Sequence, residues 1–546
     1  MTMGHGLRRT AFDRSSYDYW TGKYGIVNVK DFGAVGDGVH DDTQAVQNAF
    51  NSMGFQPTGK LYFPRGTYKI TQTLDFNLGH FEASDDGNVQ VIAGTFAIEM
   101  DGVLSPQPGI GPAIFIYSGY YPHIQVKAYG GGQSGDKLVK AEDLLGPYFD
   151  ISAQLYMGTL LYSDGSGVPN ATGTLRCTLV NGGRVIAEHC GQALSLANYN
   201  GFGTLDAIWD DTPSSGSVIN NLGDLTILSY ENAVNASLST PSLLIESSYS
   251  IHLDKVALGT SVPIDYLLEI VNCNLDNFAT GVGINEVFLQ GGGQAQVGLW
   301  ANNSGVYIGS FTGLSCLSGA LAQDGGSVSV QSFYDNGSVN GIEIGERIAN
   351  TAGDTAIGWL YAREESQSAV IVGSGVVGGD LHISAGVIYD VNTSEGSHPT
   401  FSINGPEKVY LGNVADNSSN AAGSLSIPDA SNLFLNAYGQ TLLPNGITYT
   451  STGPLSALTG TTAGTVYWRQ DVDPTASIKR FVAYSDDYEN DTTTNQTISF
   501  PTVYKYKPAI STNTTGLTLS VSTSALTITA PDSTSTYSGV IEIVGI

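Results

Sequence analysis

Apolar and polar residues alternate along most of this chain, in short segments separated by glycine, asparagine and proline. Alternation with a period of two predicts strands with one buried face. The segments "GVYIGSF" from Gly305 and "SVSVQSF" from Ser327 align without gaps at a spacing of 22 residues. The segments "SIHLDKVALG" from Ser250 and "NCNLDNFATG" from Asn272 align at the same spacing of 22. A period above about 20 residues predicts a solenoid, in which each coil packs on its neighbours.

Similar alternating segments continue further along the chain. "VYLGNV" (409–414) and "LFLNAY" (433–438) align at a spacing of 24. The coils are therefore expected to cover about residues 76–455, with inward Val, Ile, Leu and Phe side chains stacked in ladders. A solenoid closes its sheets on themselves, so unpaired strand edges remain only at its two ends.

The beginning of the chain has a different pattern. In "VKDFGAVGDGVHDDTQAVQNAF" (29–50), a strand is predicted first and a glycine-rich loop second. Asp41 followed by Gln44 has the pattern of a capping box, so a helix should begin here. Its predicted apolar face needs a partner to cover it. That face consists of Ala45, Val46, Ala49, Phe50 and Met53.

The next segment, "GKLYFPRGTYKI" (59–70), predicts a strand, a turn and a second strand, with Leu61 and Phe63 on one face and Tyr62 on the other. Taken with the loop and helix before it, this segment resembles the N-terminal entry of the pectate-lyase-like right-handed parallel β-helix family. That family includes many bacteriophage tailspikes and several polysaccharide hydrolases and lyases. The resemblance implies a right-handed single-stranded parallel β-helix, with the helix capping the open end of the coil stack.

From about residue 456 the alternating strands are separated by Gly, Asn and Pro turns that indicate a small antiparallel β-sandwich. This part resembles the C-terminal modules of phage tail fibres and spikes, which implies trimer formation or glycan binding. The predicted class is therefore all-β. The predicted organisation is an N-terminal attachment segment (1–25), a β-helix cap (26–75), a parallel β-helix (76–455) and a C-terminal β-sandwich (456–546).

Charge and composition exclude several classes of function. The chain has 22 Lys and Arg against 50 Asp and Glu, a formal net charge of −28, and this field repels nucleic acid phosphates. An acidic surface rich in hydroxyls and amides is compatible with a neutral or weakly charged glycan, and equally with simple solubility. The sequence shows no secretion signal and no apolar run of the ~20 residues that a membrane span requires.

The four cysteines lack any metal-binding spacing and are expected to be buried free thiols. No metal or cofactor is expected.

The strongest candidate for chemistry is "AIWDDTP" (207–213). Trp209 offers an aromatic face for a sugar, and Asp210 and Asp211 supply two carboxylates; crowding raises the pKa of one, which can then act as a general acid. About one period later, Tyr230 and Glu231 again combine an aromatic ring with a carboxylate. The alternative is that the two aspartates cap a solvated turn.

Glu246 interrupts an apolar run and is a further catalytic candidate. Glu269 follows 23 residues later, and a slip of one residue from the period of 22 predicts that the two side chains face opposite ways. Glu188 and His189 could serve as an acid with a helper or as a β-elimination base, or could be structural. The residue sets that pectin hydrolases and calcium-dependent pectate lyases of this fold use are missing from the coil region, so pectin is not the expected substrate.

The resemblance, the coils and the absence of an export signal favour a homotrimeric virion tailspike. Such a protein binds a host surface polysaccharide, attaches to the tail or baseplate through its N-terminus and is expected to cleave the glycan with a carboxylate pair, by hydrolysis rather than elimination. The second reading is a non-catalytic adhesin or structural spike, because a fold does not dictate an activity. The third is a secreted polysaccharide hydrolase or lyase.

Overall fold

A computed structural model describes most of the predicted coil region and, beyond it, individual strands. The described residues are 25–54, 57–79, 81–83, 89–91, 95–165, 180–199, 202–211, 214–235, 238–273, 281–348, 351–374, 376–391, 398–405, 408–418, 422–428, 433–435, 447–449, 466–472, 479–488, 495–499, 509–512, 518–521, 525–529 and 537–545. The predicted attachment segment lies outside them apart from Gly25, as does the 274–280 part of the Asn272 repeat.

The chain divides into two compact units. The first consists of residues 1–238 and 250–254, and the second of residues 239–249 and 255–546. Strand β22 (Tyr249–Thr260) contributes residues to both units. None of the helices in the described ranges is long and apolar enough to cross a membrane.

The first unit is made of short strands with a single α-helix among its described residues. Its strands are β1 (Ile26–Asn28), β2 (Asp37–Asp41), β3 (Gly59–Phe63), β4 (Thr67–Ile70), β5 (Leu74–Asn77), β6 (Phe81–Ala83), β7 (Val89–Val91), β8 (Phe96–Met100), β9 (Val103–Pro106), β10 (Pro112–Tyr120), β11 (His123–Tyr129), β12 (Lys137–Leu145), β13 (Tyr148–Gln154), β14 (Thr159–Asp164), β15 (Val180–Asn181), β16 (Gly183–Glu188), β17 (Gln192–Tyr199), β18 (Gly203–Leu205), β19 (Ala207–Asp211) and β20 (Ser217–Val234).

Parallel pairing arranges these strands in rows. One row runs β1, β3, β8, β11, β13, β16, β19. Another runs β5, β10, β12, β14, β17. The long strand β20 pairs with β17, then β18, then β19 through successive segments, so a single stretch of backbone belongs to three rows. This is the arrangement of one coil of a parallel β-helix.

The second unit repeats the arrangement in the residues described for it. Its parallel strands are β21 (Leu243–Glu246), β23 (Ile264–Val271), β24 (Val282–Gln290), β25 (Ala295–Leu314), β26 (Gly319–Asn336), β27 (Asn340–Ile344), β28 (Thr351–Arg363), β29 (Ser368–Val372), β30 (Val376–Gly378), β31 (Asp380–Tyr389), β32 (Phe401–Ile403), β33 (Lys408–Asp416), β34 (Leu425–Ile427), β35 (Leu433–Leu435) and β36 (Ile447–Tyr449).

Ladders of apolar side chains fill the inside of each unit, because alternate residues of every strand point inward. In the first unit one ladder, closed to solvent, is Val126, Ile151, Val185, Ile208 and Tyr230. In the second unit a ladder of buried residues is Leu268, Leu299, Leu321, Ile342, Val370, Phe401 and Leu425.

Two of the predicted coil alignments are confirmed. Val306 pairs with Val328 in register, and Phe311 with Phe333, whose rings stack at 4.9 Å. Val409 pairs with Leu433 at the predicted spacing of 24. The number of residues per coil is not constant: residues paired in register are 22 positions apart in one case and 25 in another.

The predicted helix exists as α1 (Thr43–Ser52), after a short 3₁₀ helix (Val29–Phe32). The ring of Phe50 stacks on Phe76 at 4.5 Å and meets Phe96 edge-on at 5.7 Å, so the apolar face of α1 is covered. A role of α1 as the cap of the coil stack stays a prediction.

The capping-box prediction was wrong in detail. Asp42 is the N-cap residue, and its carboxylate accepts hydrogen bonds from the backbone of Val35 and Gly36 instead of the helix. Asp41 accepts one from the Thr43 backbone amide at 3.0 Å. The Gln44 amide turns outward, where it donates to Asn48 along the helix.

The strands near the C-terminus are antiparallel, as predicted. They are β37 (Val466–Val472), β38 (Lys479–Tyr488), β39 (Asn495–Ser499), β40 (Ala509–Thr512), β41 (Thr518–Val521), β42 (Ala525–Thr529) and β43 (Tyr537–Gly545). They form a four-stranded sheet in the order β37, β38, β43, β40 and a three-stranded sheet in the order β39, β42, β41. Face-to-face packing of the two sheets as a sandwich stays a prediction.

Candidate functional site

The first group of predicted site residues lies on β19 and β20 of the first unit. Trp209 is 55% exposed and pairs in register with Glu231 on the next coil, whose side chain is also exposed. Asp211 is partly exposed and pairs with Glu188 on the preceding coil. Three carboxylates and an indole therefore share one outer surface, which we call the Trp209 face.

The other two residues predicted there point the opposite way. Asp210 and Tyr230 have no exposed surface, because neighbouring residues of a strand point to opposite faces and these two take the inner positions. Burial raises the pKa of Asp210 to about 7. Tyr230 belongs to the inner ladder. Neither side chain can touch a polysaccharide in this arrangement, so their predicted roles in catalysis and sugar binding are not supported.

A second group lies in the second unit, around Glu246 and Glu269. Glu246 pairs in register with Val271, a spacing of 25 and not 22. Glu269 is two residues before Val271, so both glutamates point outward from the same face, and the prediction that they face opposite ways was wrong. A coil spacing of about 4.8 Å and a rise of about 3.3 Å per residue place their Cα atoms roughly 8 Å apart.

The surroundings of Glu269 favour its protonated form. The side chain is half-buried, and burial is the largest cause of a pKa raised above the usual glutamate value. The nearby charges of Glu246 and Asp265 raise it further. Two carboxylates whose environments differ in this way can act as a general acid and a general base.

Aromatic rings lie directly beside this pair. Trp300 pairs in register with Glu269 on the next coil, and its ring stacks on Tyr266 with the centroids 4.7 Å apart. The indole N–H of Trp300 donates to Oδ2 of Asp324 at 2.6 Å, which sets the orientation of the ring. Asp324 is buried and accepts from the backbone amide of Arg347 at 3.2 Å.

A network of hydrogen bonds fixes Arg347, whose backbone amide binds Asp324, the partner of Trp300. The Arg347 guanidinium donates to Oε2 of Glu343 at 2.5 Å and to the Ser318 hydroxyl at 3.0 Å. The Asn340 side chain donates to Oε1 of Glu343 at 3.0 Å. Glu343 is almost fully buried and has its partners inside the protein, so it is a positioning residue. We call the group formed by Glu246, Asp265, Tyr266, Glu269, Trp300 and Arg347 the Glu269 site.

Sequence reasoning found only Glu246 and Glu269 of this site. Trp300 was missed because its segment, "GLWANNSG", has no acidic residue in it. The available signal was the alternation of Leu299 and Ala301 around it, which predicts that Trp300 points outward. An outward-pointing tryptophan on a strand face is a reason to look for acids on the neighbouring coils.

A family model matches the start of the first unit. Residues 26–109 match a family model described as rhamnogalacturonase A/epimerase, pectate lyase-like. This match and the parallel strand rows both agree with a pectate lyase-like β-helix in that part of the chain. The predicted resemblance is confirmed at this level.

Similar curated proteins match only a short segment. Plasmin and fibronectin-binding protein A of Streptococcus pneumoniae is 49% identical over 49 residues, which is 9% of this chain and 7% of that protein. Mannuronan C5-epimerase AlgE1 of Azotobacter vinelandii is 50% identical over 44 residues, which is 8% of this chain and 3% of the epimerase. The chain thus spans less than a tenth of the length of these relatives.

Similarity to solved structures extends further but is weak. The tailspike protein gp49 of Acinetobacter baumannii bacteriophage Fri1, a capsular polysaccharide depolymerase, has 8% identity and a TM-score of 0.25, covering 95% of this chain and 86% of that one. ORF18 of Geobacillus virus E2 has 12% identity and a TM-score of 0.26, covering 90% and 76%. At TM-scores this low, these structures give no information on the function of this chain.

Proposed function

We propose that this protein binds a host surface polysaccharide and hydrolyses it at the Glu269 site. The observation that carries the proposal is the pair of outward glutamates on neighbouring coils, beside the Tyr266–Trp300 stack. Glycoside hydrolysis needs two carboxyl groups on either side of the scissile bond and a surface on which the sugar can lie. The pair and the rings supply both requirements on one face.

Glu269 is assigned as the general acid, because its raised pKa keeps the carboxyl protonated at a higher pH than an ordinary glutamate. Protonated Glu269 donates its proton to the glycosidic oxygen, and ionised Glu246 takes a proton from the attacking water. A separation of about 6.5 to 9.5 Å between the carboxyl groups leaves room for that water and inverts the anomeric centre. The Cα atoms of the two glutamates are roughly 8 Å apart, so outward side chains can bring their carboxyl groups into that range.

The proposal is tested with Glu269→Gln in the full chain. A positioned general acid contributes about 10²- to 10⁴-fold, so the rate of new reducing ends from a susceptible capsular polysaccharide should fall at least about 100-fold. Binding to the same polysaccharide should change less than about threefold, since glutamine keeps the shape of the side chain. Glu286→Gln, an exposed glutamate on another strand, is the matched control.

Two other results separate the alternatives. If Glu231→Gln abolishes cleavage and Glu269→Gln does not, the active site is the Trp209 face. If the unaltered protein binds cells and polysaccharide but releases no oligosaccharide, the protein is a non-catalytic adhesin and the hydrolase proposal fails.

The setting we propose for this activity is a virion tailspike. The N-terminal β-helix match and the antiparallel C-terminal strands support it, and a homotrimer attached to a tail or baseplate protein through residues 1–25 is part of the proposal. Light scattering of the full chain checks the trimer: a monomeric mass at micromolar concentration would contradict it.

A further inference from the structure

We infer that the Glu269 site accepts uncharged or amino-bearing sugar units and excludes uronic acids. This inference rests on the proposed function, because it concerns the sugar bound next to the Glu246–Glu269 pair. It goes further in naming the class of polysaccharide. It also separates this chain from the polyuronate chemistry that the names of its curated epimerase relatives describe.

The first argument is the charge around the pair. Acidic residues outnumber basic ones in this part of the described structure, and Glu246 and Asp265 are both close enough to Glu269 to influence its protonation. Beyond Trp300 the acidic residues continue on the neighbouring coils. Of these, Glu346 is exposed and adds to the charge of the outer face, whereas Asp324 and Glu343 are buried and have their partners inside the protein.

The second argument is the state of the nearby cation. The guanidinium of Arg347 is bound to the carboxylate of Glu343 at 2.5 Å, and the side chain is mostly buried. Its Nε has no hydrogen-bond partner, but that atom is closed to solvent and cannot reach a ligand. The charge of Arg347 is therefore paired with the buried carboxylate of Glu343 and is not presented to a ligand as a free cation.

The third argument is what a uronate would require. Its carboxylate would lie close to the carboxylates of Glu246 and Asp265, which surround the protonated Glu269, and like charges at short distance repel strongly at a partly desolvated surface. Elimination or epimerisation at C5 also needs the uronate carboxylate neutralised, so that the C5 hydrogen becomes acidic. Neutral hydroxyls and N-acetyl groups meet no such repulsion, and an ammonium group is attracted.

The distinguishing experiment uses matched ligands. A panel of bacterial capsular polysaccharides of known composition is screened with the full chain for binding and for new reducing ends. Each uronate-containing polymer is tested in its native form and after chemical reduction of its carboxyl groups, which leaves the same backbone without the charge. The expected result is binding to uncharged or amino-bearing polymers, and at least about 100-fold weaker binding to the native polyuronates.

Two variants and a change of salt add controls. The Glu246→Gln/Glu269→Gln double variant should bind native polyuronates more tightly than the unaltered protein does. In 0.5 M salt, the difference in affinity between uncharged polymers and native polyuronates should become smaller, because salt screens the charges. Glu286→Gln should change neither property.

The outcomes are distinct. Glu269-dependent cleavage of a native polyuronate would overturn the inference on substrate class while leaving the hydrolase proposal in place. A protein that binds and cleaves nothing in the panel would overturn both. Cleavage of uronate-free polymers only, or cleavage of a polyuronate only after its carboxyl groups are reduced, supports both the hydrolase proposal and the inference on substrate class.

Discussion

Replacing a buried pair of carboxyl groups in the second unit should remove much of the pH dependence of its stability. Asp335 and Glu365 are both buried, and their carboxyl groups hydrogen-bond each other. Oδ2 of Asp335 and Oε2 of Glu365 have no other partner. The remaining oxygens accept from the Ser338 hydroxyl and the Arg363 backbone amide, both at 2.8 Å. Burial raises the pKa of both groups, and their interaction with each other raises that of Glu365 further. The pair is therefore held with at least one proton that it would lose in the unfolded chain.

The size of the effect follows from proton linkage. The ordinary pKa values of the two groups are 3.8 and 4.5, so the unfolded chain has released both protons by about pH 6. Each proton that only the native state retains lowers the free energy of unfolding by about 1.4 kcal/mol per pH unit. The stabilisation is complete below the unfolded pKa values and is lost as the pH rises through the native ones. For one such proton, the free energy of unfolding falls by about 2.7 kcal/mol as the pH rises from 5 to 7.

The assay compares the unaltered protein with Asp335→Asn/Glu365→Gln by urea unfolding or calorimetry from pH 4 to pH 8. The unaltered protein should lose stability with rising pH, and the double variant should show a flatter profile. Glu364→Gln, which replaces the exposed carboxylate next to the pair, is the matched control and should keep the parental slope. Parallel profiles for parent and double variant would refute the reasoning.

Two further predictions concern packing. Phe50→Ala removes the ring that stacks on Phe76 and should lower the free energy of unfolding of the first unit by about 3 to 5 kcal/mol. Asn48→Ala, at an exposed position of the same helix, is the control. A loss below about 1 kcal/mol, or a loss equal to that of Asn48→Ala, would contradict the burial of the apolar helix face. The buried thiols of Cys190, Cys273 and Cys316 have pKa values raised by burial to about 11, 11 and 12. In a Cys177→Ser background, a disulfide reagent at pH 8 should label none of them before denaturation and three afterwards, and rapid labelling of the native protein would contradict their burial.

The fold was predictable where a coil has constant length. Gly305 and Ser327 are separated by one uninterrupted coil, so equivalent residues recur after 22 positions and the register can be read from the letters. Glu246 and Glu269 were misassigned because the coil between them has 25 residues. Loops can lengthen a coil without changing its strands, and no local pattern records how many residues they add.

Corners are the second reason why the site could not be derived from the sequence. Leu267 and Leu268 are both buried, although they are neighbours on a strand. A bend in the strand lets two consecutive side chains point inward. After the bend, each residue points to the opposite face from the one that counting in twos would predict. Strand β19 has no such corner: Ile208 and Asp210 point inward and Trp209 and Asp211 outward in regular alternation. The apolar Ile208 was therefore an available signal that Asp210 is the buried carboxyl.

Carboxyl groups in the coils of the two units fall into three different environments, according to their depth. Deep inside, burial raises the pKa of Asp210 and Asp335 to about 7 and holds them close to neutral, so folding takes up protons and the native charge is less negative than the formal −28. On the outer surface, exposed carboxylates such as Glu231 can be solvated by water. Glu269 lies between these extremes: its carboxyl is half-buried, which favours the proton, and still points to the outer surface. The spacing of stacked coils is enough to bring a half-buried carboxyl group near a second carboxylate. In the proposed mechanism, the degree of burial of each acid therefore matters more than its presence in the sequence.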